Sequence, residues 1–142
     1  MSATILLVDH DMISLTVCKA ILSPAYHVVT ANSGIQALGA LRGGQLLPDL
    51  ILLDPDMPGM DGMSLLEALK SQKETRDIPV VLCSSTNDLT IMAAAFQKGA
   101  MDFLLKPPIP LLLQQKVAVL LELAELRREN ARLKARAAAA SI

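Results

Sequence analysis

Acidic, hydroxyl and lysine side chains directly follow several short apolar runs of this sequence. The four groups are Asp9-His10-Asp11, Asp54-Pro55-Asp56, Ser84-Ser85 and Lys106. Carboxylates gathered in one cleft repel one another unless a hard divalent cation or a lysine neutralises them. A carboxylate beside such a cation, a lysine and a hydroxyl can accept a phosphoryl group. The residue types therefore indicate phosphoryl transfer to an aspartate.

The apolar runs must bring these groups together. Strand character is found in Thr4–Val8, His27–Ala31, Leu50–Leu53, Val80–Cys83 and Phe103–Leu105. Three of the runs are almost wholly apolar, which is typical of parallel strands covered by helices on both faces, whereas the more polar His27–Ala31 suits a sheet edge. Functional residues of an open parallel sheet gather beyond the carboxyl ends of its strands. The four groups are therefore expected in one cleft.

Apolar residues recur at helical spacing between these runs, which predicts a doubly wound α/β domain. The positions are Ile13, Val17, Ala20 and Ile21, then Ile35, Leu38 and Leu41, then Met63, Leu66 and Leu69, then Ile91, Ala95 and Phe96. Asn87 or Asp88 is predicted to cap the last of these helices, and Gly99 to close it. Cys18 and Cys83 lie in apolar stretches and are predicted to be buried free thiols.

Composition excludes several classes of protein. Apolar residues make up 52% of the 142 residues and charged residues 19%, so a disordered chain is excluded. The net charge of −1 provides no field that would recruit nucleic acid or an anionic membrane. No apolar run approaches the roughly 20 residues of a membrane span. We therefore expect a cytoplasmic protein without a nucleic-acid or membrane partner.

From Pro110 onward one helix is predicted to about Ala140, and its second half has heptad spacing. Leu123 and Asn130 fall at a positions and Leu126 and Leu133 at d positions, which favours a short parallel two-stranded coil. The charged residues at g and e positions then form the complementary pairs Glu122 with Arg127 and Glu129 with Lys134 of a partner. The alternative is a solvated helix that packs only on its own domain.

Four segments carry a resemblance to a known family. They are Ile5–Asp9, the run DLILLDPDMPGMDG from Asp49 to Gly62, Ile78–Ser85 and Lys98–Pro107. Over about residues 3–125 the chain resembles the receiver domain of two-component response regulators. The resemblance implies a flavodoxin-like, five-stranded parallel sheet of order 2-1-3-4-5 with an extended C-terminal helix. It also implies a receiver over residues 1–121 and a helical extension over 122–142.

The resemblance assigns roles to the strand-end residues. Asp54 would be the phosphoacceptor, Asp9 would belong to the acidic pocket that holds Mg²⁺, and the backbone carbonyl of Asp56 would be a further ligand. Lys106 would pair with the phosphoryl group, and its bond to Pro107 would be cis. A sensor histidine kinase or a phosphotransfer protein would be the donor. The domain would be a switch that catalyses only its own phosphorylation and dephosphorylation.

The same resemblance implies a switch and leaves one metal ligand open. Ser84 would follow the phosphate, and Phe103 would turn inward with it. The family usually has two adjacent acids after the first strand, but the second position here is His10. Imidazole is a poor ligand for Mg²⁺, so a weakened or altered site is one interpretation and a harmless substitution is the other. Whether His10 or Asp11 contributes stays open.

Two functions of other classes compete with the receiver. A haloacid-dehalogenase-type phosphohydrolase would use Asp9 as nucleophile and Asp11 as acid/base. A receiver-like interaction module would use no phosphate, and its support in the sequence is His10. Receivers with such an extended last helix often precede an output domain, whose presence and identity the sequence leaves open.

Overall fold

The structure is a computed structural model that describes residues 3–44, 46–57, 59–85 and 87–141. Within these residues five strands alternate with five helices. The strands are β1 (Thr4–Val8), β2 (His27–Ala31), β3 (Leu50–Leu53), β4 (Val80–Ser84) and β5 (Asp102–Leu105). The helices are α1 (Met12–Leu22), α2 (Gly34–Leu41), α3 (Gly62–Ser71), α4 (Leu89–Gln97) and α5 (Pro110–Ala140), and a short 3₁₀ turn, Arg42–Gly44, follows α2. Pro58, which belongs to the run DLILLDPDMPGMDG, lies outside the described residues. So do residues 1 and 142, the outer limits of the predicted receiver and of the predicted helical extension.

The strands form one parallel sheet in the order β2-β1-β3-β4-β5. The predicted fold and strand order are confirmed, with β4 and β5 each one residue longer than predicted. The strand with the most polar sequence, β2, lies at an edge, as its pattern indicates. Because all five strands are parallel, their carboxyl ends meet at a single edge of the sheet.

Apolar residues cover both faces of the sheet. In β1, Leu6 and Val8 pack into a cluster with residues of α2, α3 and α4, whereas Ile5 and Leu7 pack into a second cluster with residues of α1 and α5. Such two-sided burial explains the continuous apolar sequence of the inner strands. The arrangement is the doubly wound one that the sequence predicts.

Helix α1 is confirmed, but of the residues whose spacing predicts it only Ile21 is partly buried. Leu15, Cys18 and Leu22 face the core, whereas the side chains of Ile13 and Val17 are 75% and 42% exposed. The sequence of α1 is apolar on two faces, and periodicity alone cannot tell which of them the sheet covers. This exposed face of α1 lies next to acidic residues that follow the strands, and it lines the cleft described below.

The predicted signals at the ends of α4 and in the core are also confirmed. The carboxylate of Asp88 accepts a hydrogen bond of 2.8 Å from the backbone N–H of Thr90. Gly99 follows the helix at φ +107°, a conformation that favours glycine. Cys18 and Cys83 are free and buried.

Gly62, the first residue of α3, permits a close approach to the end of β3. A Cβ atom at Gly62 would lie well inside 3.0 Å of the carbonyl oxygen of Asp54 and the Cα of Pro55. Both neighbours are backbone atoms, so Gly62→Ala is expected to lower the free energy of unfolding by roughly 2–4 kcal/mol. Gly39→Ala in α2, where a Cβ atom meets nothing within 4 Å, should raise it by about 0.5–1 kcal/mol. Urea denaturation measures both, and equal effects of the two substitutions would contradict the role of Gly62.

Helix α5 continues without interruption from the domain into solvent. Its buried residues are Leu113, Val117, Leu120 and Ala124, and residues 130–141 are exposed throughout. None of the helices among the described residues has the length and apolar character that crossing a membrane requires. The predicted continuous helix is confirmed, and its last three turns are exposed.

Candidate functional site

Asp9, Asp54 and Lys106 each follow a strand directly, and the sheet fixes their backbones. The N–H of each residue donates to a carbonyl oxygen of the neighbouring strand, at 3.1, 2.9 and 2.8 Å respectively. These bonds continue the strand ladders by one residue beyond β1, β3 and β5. The side chains therefore start from rigid positions at the carboxyl edge of the sheet.

The ammonium group of Lys106 bridges the two carboxylates. Its Nζ lies 2.5 Å from Oδ2 of Asp9 and 3.2 Å from Oδ2 of Asp54. Asp9 and Asp54 are only 7% and 5% exposed. One lysine thus faces two buried acids, which leaves the trio with an excess of negative charge and an electrostatic preference for a cation.

The other oxygen of each carboxylate is held by its own loop. Oδ1 of Asp9 accepts a hydrogen bond of 2.9 Å from the N–H of Asp11, and Oδ1 of Asp54 accepts one of 2.9 Å from the N–H of Asp56. This i to i+2 pattern is the Asx turn, a local bond that aspartate favours in loops. Both carboxylates therefore have the same arrangement, with one oxygen bound to the loop and the other directed toward Lys106.

Burial and charge shift the protonation equilibria of this group. Burial raises the pKa of Asp54 above its ordinary value, although the N–H of Asp56 and the charge of Lys106 act against it. For Lys106 burial lowers the pKa, but the hydrogen bond to Asp9 and the two carboxylate charges outweigh burial, so its pKa is raised. Lys106 therefore stays charged, and ionised Asp54 is costly until further positive charge arrives.

Ser84 is the last residue of β4 and lies at the same edge, whereas Phe103 lies within β5, three residues before Lys106. The Oγ of the fully buried Ser84 donates a 3.2 Å hydrogen bond to Oδ2 of Asp56. Phe103 is 9% exposed and packs in the cluster that contains α3 and α4. The bond between Lys106 and Pro107 is cis, as the resemblance implies.

His10 and Asp11 face different parts of the molecule. Nδ1 of His10 lies 3.4 Å from Oδ2 of Asp54 and 3.8 Å from Oδ1 of Asp9. The carboxylate of Asp11 instead caps α1, where it accepts hydrogen bonds from the N–H of Ile13 (3.0 Å) and the Oγ of Ser14 (3.3 Å). The hydrogen bond from Ile13 lowers the pKa of Asp11. The geometry thus directs His10 toward the acid pair and Asp11 toward the helix start.

An open cleft lies beside Asp54 and Lys106, and part of its rim is apolar. Met12, Ile13 and Val17 of α1 contribute to the apolar part, together with the two prolines that follow Lys106. Sequence reasoning missed this rim. The signal that could have identified it is the second apolar face of α1.

Three potential metal ligands come together among the described residues. One ligand atom from each of Asp9, His10 and Asp54 lies within 4.8 Å of the other two. Two carboxylate oxygens and a net negative charge are the donor chemistry that Mg²⁺ prefers. The fold and the site together define a doubly wound α/β domain with a lysine-bridged acid pocket at its carboxyl edge.

Comparison with known proteins agrees with this class. The sequence model of the response regulator receiver domain matches residues 5–118. The response regulator PleD of Caulobacter vibrioides is 39% identical over 136 residues, which cover 92% of this chain and 30% of that protein. The cyclic di-GMP phosphodiesterase response regulator RpfG of Xanthomonas campestris is 34% identical over 136 residues, with 94% and 35% covered.

A CheY-like receiver domain protein of Methanospirillum hungatei has a similar solved structure. Its TM-score is 0.82 at 25% identity, and 89% of this chain and 99% of that chain are covered. The chain belongs to the response regulator receiver domain family. It spans about a third of the length of the relatives PleD and RpfG.

Proposed function

We propose that this chain accepts a phosphoryl group on Asp54 from a sensor histidine kinase or a phosphotransfer protein and relays the change as a conformational switch. The observation that carries this proposal is the pair of carboxylates bridged by Lys106 at the end of the sheet. Membership of the receiver family supports it. A cytoplasmic location, where such donors act, belongs to the same proposal.

In the proposed transfer, an oxygen of Asp54 attacks the phosphorus of the phosphohistidine, and the bond from phosphorus to the imidazole nitrogen breaks. The nitrogen leaves with the electron pair of that bond. Lys106 stabilises the charge on the phosphoryl oxygens, because its ammonium group already lies 3.2 Å from Oδ2 of Asp54. The hydroxyl of Ser84 is a further donor once it exchanges its bond to Asp56 for a phosphoryl oxygen.

Mg²⁺ is the cofactor we propose for this pocket. Asp9, Asp54 and the backbone carbonyl of Asp56 would hold it, and when bound it would shield the charge of the incoming phosphoryl group. The excess negative charge around Lys106 supports this assignment. The raised pKa of Asp54 supports it as well, because a cation would relieve the cost of a buried carboxylate.

The proposed switch runs from Ser84 through β5 to α5. A displaced Ser84 would move the end of β5, because the N–H of Lys106, which follows β5 directly, donates a hydrogen bond of 2.8 Å to the carbonyl oxygen of Ser84. In β5, Phe103 packs toward α3 and α4, and its neighbour Leu104 packs in the cluster that contains α5. Because Phe103 has no hydroxyl, its part in the switch can only be a change of packing.

We further propose that the outer face of α5 binds a second copy of this chain in a parallel coil. Val119, Leu126 and Leu133 are 49%, 59% and 51% exposed. At 3.6 residues per turn they lie roughly 150° around the helix from the residues that α5 buries against its own domain. The helix can therefore pack on the domain and on a partner at once.

Charge complementarity favours the second copy as the occupant of that face. In a parallel coil Glu122 would face Arg127 of the partner, and Glu129 would face Lys134. In the single chain Glu129 instead forms an ion pair with Arg132, and Glu125 pairs with Arg128 at 2.7 Å. We also propose that α5 leads into an output domain, because the chain covers only part of PleD and RpfG.

The proposed function is tested by phosphorylation from a small donor. The wild-type chain, incubated with acetyl phosphate and Mg²⁺, should gain the mass of one phosphoryl group, and chelation by EDTA should remove most of the gain. Intact-protein mass spectrometry measures the product. A modification that is stable in acid, or more than one phosphoryl group per chain, would contradict the formation of a single aspartyl phosphate. Absence of any modification would instead favour the interaction module that uses no phosphate. The phosphohydrolase alternative receives no support from the geometry, because Asp11 caps α1.

A further inference from the structure

His10 gives the acid pocket a nitrogen donor at its open side. The imidazole is 45% exposed, whereas the carboxylates of Asp9 and Asp54 beneath it are nearly covered. Its Nδ1 faces one oxygen of each carboxylate, at 3.8 and 3.4 Å. The ring therefore lies over the pocket and does not point away into solvent.

These separations match those of atoms that share one metal ion. Adjacent ligands at about 2.0–2.1 Å from a tetrahedral or octahedral ion lie roughly 2.8–3.4 Å from one another. The 3.4 Å between His10 and Asp54 falls within this range, and the 3.8 Å to Asp9 exceeds it by a few tenths of an ångström. The imidazole is 45% exposed, so a rotation of the ring can change its separation from Asp9 without movement of the backbone.

The donor set discriminates between classes of divalent ion. Mg²⁺ prefers six oxygens, whereas imidazole suits borderline transition ions such as Zn²⁺. An acid at position 10 would add an oxygen and a charge for Mg²⁺, but the neutral imidazole adds neither. The thiols of Cys18 and Cys83 are buried, and burial raises the pKa of both, to about 12 for Cys83, which disfavours the thiolate form that binds transition ions.

We propose that His10 is a metal ligand, and that, compared with an acid at the same position, it weakens the binding of Mg²⁺ to the Asp9–Asp54 pocket and strengthens that of borderline transition ions of the Zn²⁺ type. The inference rests on the same pocket as the proposed function but not on phosphoryl transfer. It predicts a site of mixed nitrogen and oxygen donors, in which His10 supplies the nitrogen.

Calorimetric titration of the apo chain with Zn²⁺ and with Mg²⁺ tests this inference. His10→Asp should tighten Mg²⁺ and weaken Zn²⁺, each by about tenfold. His10→Ala should weaken Zn²⁺ without tightening Mg²⁺. The matched control is His27→Ala, which removes the other histidine, an exposed residue at the start of β2, and should change neither affinity.

Because the two affinities are expected to change in opposite directions, the test distinguishes ligation by His10 from a simple effect of charge. If charge alone sets the affinities, His10→Asp will tighten both ions, and that result would overturn the proposal. A direct readout is the ¹⁵N signal of the histidine rings, where Zn²⁺ should shift Nδ1 of His10 and leave His27 in place. A ¹⁵N signal of His10 Nδ1 that does not shift at saturating Zn²⁺ would also overturn the proposal. Phosphorylation of the wild-type chain with Mg²⁺ is a separate measurement. It tests the proposed function, whereas the metal affinities test only the role of His10.

Discussion

Replacing Asp54 with Asn is expected to abolish phosphoryl incorporation from acetyl phosphate completely. The amide keeps the shape of the side chain but has no anionic oxygen to attack phosphorus. Asp9 is not expected to substitute, because Lys106 lies closer to Oδ2 of Asp9, at 2.5 Å, than to Oδ2 of Asp54, at 3.2 Å. Intact-mass measurement after incubation with Mg²⁺ checks this. Asp77→Asn, an exposed acid ahead of β4, is the control that should leave incorporation unchanged.

The same variant should be more stable than the wild-type chain at neutral pH. Burial raises the pKa of Asp54, so its ionised form opposes folding in full above the folded-state pKa. That cost fades as the pH falls through this pKa, because the folded protein then binds the proton first. Urea denaturation at several pH values should show a gain for Asp54→Asn that shrinks on acidification. If Asp54→Asn is stably folded but gains no phosphoryl group, the loss is due to the missing acceptor and not to unfolding. Phosphorylation that persists in this variant would refute Asp54 as the acceptor.

Substituting Glu for both Leu126 and Leu133 is expected to convert a dimer of this chain into monomers. Two acids at successive d positions would place four carboxylates in the apolar seam of the proposed coil. Dissociation should be complete at micromolar concentration, because a coil of about three heptads is weak alone. Sedimentation velocity measures the state. Ala135→Glu, at the f position of the same heptads, is the matched control and should remain a dimer.

The orientation of the two helices has its own test. Single cysteines at Leu126 would face each other in a parallel coil and should form a disulfide across the dimer under mild oxidation. The native thiols of Cys18 and Cys83 are buried and should stay unmodified. The double glutamate variant should still accept phosphate at Asp54, because both substitutions lie beyond the last buried residue of α5, Ala124. A dimer that survives both glutamates would place the interface on the domain.

The sequence predicts the sheet and the neighbourhood of the site well because both follow from strand ends. Parallel strands end at one edge, so Asp9, Asp54, Ser84 and Lys106 had to lie near one another once the strands were recognised. The core faces of the helices are less predictable. In α2, Ile35 is 71% exposed while smaller residues are buried, because tertiary packing and not hydrophobicity selects the face.

Details of the site depend on side-chain geometry that no spacing encodes. Sequence reasoning leaves open whether His10 or Asp11 faces the acids. The choice follows from the start of α1, where the carboxylate of Asp11 has a nearer use as a cap. Likewise the bridge from Lys106 to both Asp9 and Asp54 follows from side-chain length and packing, which the order of residues along the chain does not specify.

The uninterrupted course of α5 makes it a lever. From Ala124, its last buried residue, to Ala140 the helix extends for about 24 Å at the usual rise per residue. An ion pair of 3.0 Å between Lys116 and Asp102 ties the base of this lever to β5. By simple geometry a tilt of roughly 10° at the base displaces the far end by about 4 Å over that length. A movement of β5 too small to disturb the core is therefore amplified to several ångströms at the tip of the helix.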